Sequence, residues 1–162
     1  MSWKYFFCVV ILENILIVCI LFPFIHNFSN EFQKVTVERD LYEHVRVLCF
    51  VPCSDNTVND KAIHVMNTWG KHCNKLIFFT DKEHTGFPTV GLGIPYHGKH
   101  DLTMKMFSSL FYLYEHHLND YDWFMKADTD SYVIIENLRF MLANYTTSKP
   151  IYFGQYLKVS HK

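Results

Sequence analysis

The chain has 162 residues, a formal net charge of −1, and is 49% hydrophobic, 17% aromatic and 19% charged. That length fits one domain of ordinary size, and so high an aromatic content excludes a disordered chain. Near-neutral charge excludes the basic field that nucleic-acid binding needs, so no nucleic acid is expected as a partner, and five Cys are too few to frame a disulfide-stapled mini-protein.

Tyr5 to Ile25 is apolar apart from Glu13 and Asn14. As a helix rising about 1.5 Å per residue it is about 31 Å long, the hydrocarbon thickness of a bilayer. Glu13 near mid-span costs about 2.5–3.5 kcal/mol, which the neighbouring Ile, Leu, Val and Phe outweigh at about 0.3–0.6 kcal/mol each. A cleavable signal peptide needs a shorter apolar core and a small-x-small exit, whereas Phe22-Pro23-Phe24-Ile25-His26-Asn27 holds no Ala or Gly. The segment therefore reads as an uncleaved signal-anchor. Residues 1–4 form a cytosolic tail, 5–25 the transmembrane helix and 26–44 a polar stem without a clear period, and residues 45–162 lie on the lumenal side. Cys8 and Cys19 fall within the span as apolar residues. Two glycosylation sequons occur, Asn27-Phe28-Ser29 and Asn144-Tyr145-Thr146. The first abuts the span too closely to be used; the second suits a lumenal domain.

Val45–Val51 is an apolar run bounded by Pro52, a buried strand. Asn59–Trp69 spaces Ala62, Val65, Met66 and Trp69 as one helical face, with Gly70 placed to end the helix. Lys75–Thr80 is a second strand, closed by Asp81. The Gly- and Pro-rich stretch from Glu83 to His100 is loop, with a short strand at Thr89–Leu92. Leu102–Leu118 is the best helix, with Leu102, Met106, Leu110, Leu113 and His117 recurring on one face. Trp123–Ala127 is another strand, Ile135–Asn144 a helix with Leu138, Met141 and Leu142 inward, and Ile151–Phe153 a last strand. Strands alternating with helices give an α/β domain with a mainly parallel sheet.

In open α/β sheets ligands bind beyond the carboxyl ends of the strands. That rule selects the turn Pro52–Asn56, the run His97-Gly98-Lys99, and Lys126-Ala127-Asp128-Thr129-Asp130. Asp128 and Asp130 at i and i+2 past a strand can aim two carboxylates at one hard cation shared with substrate phosphates. An Asp-x-Asp arises easily by chance among nine Asp, and a second one, Asp120-Tyr121-Asp122, precedes the same strand. That pair sits at the wrong end of the sheet and reads as solvated turn residues. His97/His100 and His116/His117 match no zinc pattern, and Cys49, Cys53 and Cys73 contain no C-x₂-C pair. No P-loop, G-x-G-x-x-G or G-x-S-x-G is present.

Taken together, VRVLCFV, HVMNTWGKHCNKLIF, FPTVGL, GKHDLTMK, YEHHLNDYDWFMKADTDSYVIIENLRFML and PIYFG resemble the core 1 β1,3-galactosyltransferases, from Val45 to Gly154 and in that family's order. Those proteins (glycoprotein-N-acetylgalactosamine 3-β-galactosyltransferases) are Golgi type II membrane enzymes with a GT-A-like fold. The resemblance implies UDP-galactose as donor, Mn²⁺ as cofactor and GalNAc α-linked to Ser or Thr of a glycoprotein as acceptor. It implies Asp128 and Asp130 as metal ligands, Asp128 also near the donor, with Thr129 replacing a middle Asp. Gly98, Lys99 (more often Arg in the family) and Lys105 match its donor-binding block. Two matched positions depart: His97 stands where an acid is common, and Pro52-Cys53-Ser54 replaces a Thr-Gly-Pro-like turn, so Pro52 and His97 are weaker donor contacts. Cys49 and Cys73 match two cysteines that pair in the family, while Cys53 has no counterpart.

In that family the acceptor pocket, the general base and a late metal-binding His follow the region matched here. Inverting transfer needs a base to deprotonate the acceptor hydroxyl, and no carboxylate of this chain is assigned to that role. Residues 45–162 thus correspond to the donor-binding part of the transferase domain. An inactive relative acting as a lumenal binding or chaperone-like protein is the alternative; the family's chaperone branch lacks the Asp-x-Asp, so its retention favours the enzymes. A third reading is a partly folded product that exposes apolar surface. The acceptor protein and the oligomeric state, a homo-oligomer included, are open.

Overall fold

In the computed structural model, the residues described are 33–95 and 99–154, with 27, 30 and 31. The chain divides into two units, residues 1–40 and 41–162. In the first unit every described residue is helical and exposed, although the stem has no apolar period. The expected span at Tyr5–Ile25 lies outside the described residues, and among those described no helix is long and apolar enough to cross a membrane.

The second unit is built on a parallel sheet of four strands in the order β3-β2-β1-β4. They are β1 (Val47–Pro52), β2 (Lys75–Thr80), β3 (Thr89–Gly91) and β4 (Trp123–Lys126). β1 is apolar throughout because it is central and covered on both faces. Cys49 lies opposite Leu76 on one side and Met125 on the other. Val47, Cys49 and Val51 face a layer containing Val58, Ala62, Val65, Trp69, Ile135 and Leu142. Leu48 and Phe50 face the opposite layer, with Ile77, Phe79 and Leu113. There Phe79 meets Phe50 and Tyr112 edge-on, with ring centroids 6.1 and 5.6 Å apart.

The sheet is flanked by α1 (Ile63–Asn67), α2 (Lys99–His117) and α3 (Ile135–Leu142). α1 follows a π turn over Val58–Ala62 and precedes a 3₁₀ turn over Trp69–His72. Gly70 does not end the helix, which stops at Asn67. It is buried in the following turn, where a Cβ would stand 2.7 Å from both Leu76 Cδ2 and Val65 O. Close approach, not a left-handed cap, requires the glycine.

α2 turns inward a face rotated from the one its apolar repeat selects, the two sharing buried Leu113 and half-buried Met106. Lys105, Ser109 and Leu113 are buried, whereas Leu102 and Leu110 are 47% and 43% exposed. The helix is apolar on nearly all sides, and a polar anchor chooses the face: Lys105 reaches the end of β1, and Ser109 donates back to the Lys105 carbonyl at 2.7 Å. α3 buries Ile135, Arg139 and Leu142, leaving Met141 exposed and Leu138 half-buried. Arg139 donates to the carbonyls of Val45 and His72 and to Asn74 Oδ1, under the Tyr42 ring.

Asp122 is not a solvated turn residue: its carboxylate accepts from the backbone and guanidinium of Arg46 at 2.8–3.1 Å, fastening β1 to β4. Cys49 and Cys73 form a disulfide with Cα atoms 6.1 Å apart. Ile151–Phe153 is not a strand; it has no ladder partner among the described residues, and Phe153 instead packs its ring against Trp123 and Tyr145.

Candidate donor and metal site

From β1 the chain builds outward to β2 and β3 on one side, and β4 joins on the other. The carboxyl ends of β1 and β4 therefore flank the point where strand order reverses, the crevice in which open α/β sheets bind ligands. A cavity of about 170 Å³ lies there, lined by Pro52, Cys53, Ser54, Thr57, Leu102, Lys105 and Thr129.

Each wall has a local cause. The Cys53 amide donates to the Phe79 carbonyl at 2.9 Å, holding the turn after β1 against β2. Lys105, only 2% exposed, donates from Nζ to the Cys53 carbonyl at 3.0 Å, which places its charge in the cavity lining. A buried ammonium is unfavourable without partners, and an anion is the natural ligand for such a group. Burial pushes the Cys53 thiol up to about 11, against the opposing pull of Lys105. It is free in the sense of unbonded, but a protonated buried thiol is inert.

Across the cavity, the Ala127 amide donates to the Phe50 carbonyl at 3.1 Å and extends the β1–β4 ladder past the last residue of β4. Asp128, Thr129 and Asp130 follow, in a turn closed by the Ser131 amide on the Asp128 carbonyl at 3.1 Å. The Trp69 indole N–H donates to the Ser131 carbonyl at 2.9 Å. This buried tryptophan, read from its spacing as a core residue alone, therefore also fixes the turn that carries the acids. Thr129 lines the cavity while Asp128 and Asp130 are exposed on either side of it, with Lys126 paired to Asp128.

A second tie frames the same end of the sheet. Asp55 Oδ1 accepts the backbone amides of Asp81 and Lys82 and lies 3.2 Å from His84 Nε2. Burial opposes ionisation of Asp55, but the imidazole and the two amides outweigh it and hold the carboxyl below its usual range.

The structure thus brings Pro52, Lys105 and the Asp128–Asp130 turn to one crevice. His97 and Gly98 lie outside the described residues, and Lys99 enters as the first residue of α2. Among the described residues no group of three or more His, Cys, Asp or Glu forms a ready-made metal site. Asp128 and Asp130 are instead two exposed carboxylates next to Thr129 in the cavity lining, oxygen donors of the kind a hard divalent ion takes.

The Fringe-like family profile matches residues 43–161. Glycoprotein-N-acetylgalactosamine 3-beta-galactosyltransferase 1 of Xenopus laevis is 42% identical over 123 residues, covering 76% of this chain and 34% of the relative. A beta-1,3-glucosyltransferase of Mus musculus is 30% identical over 96 residues, 59% of this chain and 19% of the relative. Chondroitin sulfate synthase 3 of Mus musculus is 27% identical over 110 residues, 60% and 12% respectively. The chain spans about a third of the length of the Xenopus relative and less of the other two.

Proposed function

The chain belongs to the Fringe-like family, on its core 1 β1,3-galactosyltransferase side, and from that premise we propose that it supplies the donor- and metal-binding part of a galactosyltransferase. The reaction is transfer of galactose from UDP-galactose, in β1,3 linkage and with inversion, to O-linked GalNAc on a glycoprotein. The observation that carries the reading is the turn Asp128-Thr129-Asp130, held past β4 beside the cavity that Lys105 lines.

Lys105 sets positive charge against the donor diphosphate, and Gly98 and Lys99 complete the donor-binding block by resemblance to the family. The Pro52–Ser54 turn walls the other side, and His97 is the weaker contact. Asp128 and Asp130 would hold Mn²⁺, and their carboxylates suit it because both are accessible oxygen donors. The bound cation would offset charge on the leaving diphosphate. Trp69 keeps the acid turn in place through the Ser131 carbonyl. The base that takes the proton of the attacking hydroxyl is not assigned to any residue of this chain.

A Golgi membrane location, with a type II anchor and a lumenal domain, completes the proposal. The Cys49–Cys73 disulfide supports it, since such bonds persist in oxidising compartments. The test is equilibrium binding of UDP-galactose to the full chain with and without Mn²⁺. Binding that needs Mn²⁺ and is competed by UDP is expected. No donor binding by the folded chain would favour the inactive lumenal relative instead.

A further inference from the structure

We infer that Asn144 carries an N-linked oligosaccharide, a modification that rests on the lumenal reading above. The triplet Asn144-Tyr145-Thr146 is a sequon, and the transferase of the site just described does not use it. The fold places it immediately after α3, in the run 143–150, every residue of which is exposed. A sequon folded into the core is incompatible with a bulky polar glycan; this one is not.

The local hydrogen bonds tolerate the modification. Asn144 Nδ2 donates to the carbonyls of Phe140 and Met141 at 3.2 and 3.3 Å at the helix end, where the Met141 carbonyl also accepts the Asn144 backbone amide. Glycosylation forms a bond from C1 of the first sugar to Nδ2. One Nδ2 proton leaves to a base, and the diphosphate of the lipid-linked oligosaccharide donor departs. The secondary amide keeps one N–H, and either carbonyl can accept it, so the cap is thinned rather than lost. Thr146, whose hydroxyl the modifying enzyme reads, stands in the same open turn with Oγ1 3.0 Å from Ser148 Oγ.

The surroundings give the glycan a physical role. Phe140 is 68% exposed, Tyr145 46% and Tyr152 92%, so the end of α3 presents apolar surface to water. A hydrated oligosaccharide rooted at Asn144 screens that surface and keeps this corner from self-association.

The experiment expresses the full chain in secretory-pathway cells with Asn27→Gln, so that only the second sequon is read. Peptide-N-glycosidase is expected to increase its gel mobility, and the shift is lost in Asn144→Gln and in Thr146→Ala but kept in Thr146→Ser. A control adds Glu83→Asn to the Asn144→Gln chain, which sets a sequon before His84 and Thr85 in another exposed loop. A shift in that control, with none at Asn144 in the parent, overturns the glycan alone. No shift in either overturns the lumenal reading and the glycan together.

Discussion

Asp122 and Asp128 belong to two Asp-x-Asp triplets that bracket β4, and their surroundings separate them. Asp122 is committed to Arg46, whose side-chain hydrogen bond holds the Asp122 carboxyl below its usual range against the opposing effect of burial. A carboxyl depressed in the folded state contributes stability above its unfolded value of about 3.9 and loses that contribution as pH falls through the folded value. Urea unfolding followed from neutral pH to about pH 2 is therefore expected to show a steep acid loss that Asp122→Asn flattens, while lowering stability at neutral pH. Parallel acid slopes in the two proteins would contradict the assignment. Asp128, by contrast, is exposed and paired only locally with Lys126, free to exchange that partner for a ligand. Identical motifs thus divide by which end of the strand they occupy, and that much was readable from order along the chain.

At the scale of elements, the disulfide ties central β1 to the turn that enters β2 across a separation of 24 residues. Closing a loop of that size in the unfolded chain is worth about 3 kcal/mol. Cys49→Ala/Cys73→Ala should lower the urea midpoint by a corresponding amount, and mass mapping of the parent should find both residues in one cross-linked peptide pair. Two free thiols would contradict it. The strands β1, β2 and β4 were legible because short apolar runs ended at Pro52, Asp81 and the Asp128 turn. α2 was legible as a helix but not in orientation: an apolar stripe has no preferred face when both flanks are apolar, and the deciding contact, Lys105 on the Cys53 carbonyl, lies 52 residues apart in the chain. Ile151–Phe153 has strand-like side chains, yet β-propensity only reports fitness for a pleated surface, and no ladder partner is described. Trp69 carried no signal of its second role, since an indole in a core stripe looks the same whether or not its N–H holds a distant loop.

The described residues of the second unit leave much apolar surface in water. Phe107, Phe111 and Tyr114 on the outer side of α2 are 65%, 62% and 65% exposed. Along the outer edge of β4 runs a cavity of about 490 Å³ lined by Met106, Leu110, Trp123, Met125, Leu138 and Phe153 among others. Surfaces of that kind are covered in working proteins. The crevice proposed for the donor does not depend on covering them, because its walls are held by β1, β4, α2 and Trp69 within this unit. The full chain should therefore bind nucleotide by itself. Calorimetric titration of UDP, with Mn²⁺ present and again with Mn²⁺ withdrawn by a chelator, tests this most directly. Heat that appears only with Mn²⁺ and vanishes in Asp128→Ala/Asp130→Ala is the expected result; no Mn²⁺-dependent heat in the parent, or an unchanged signal in the variant, would contradict a donor and metal site at this crevice.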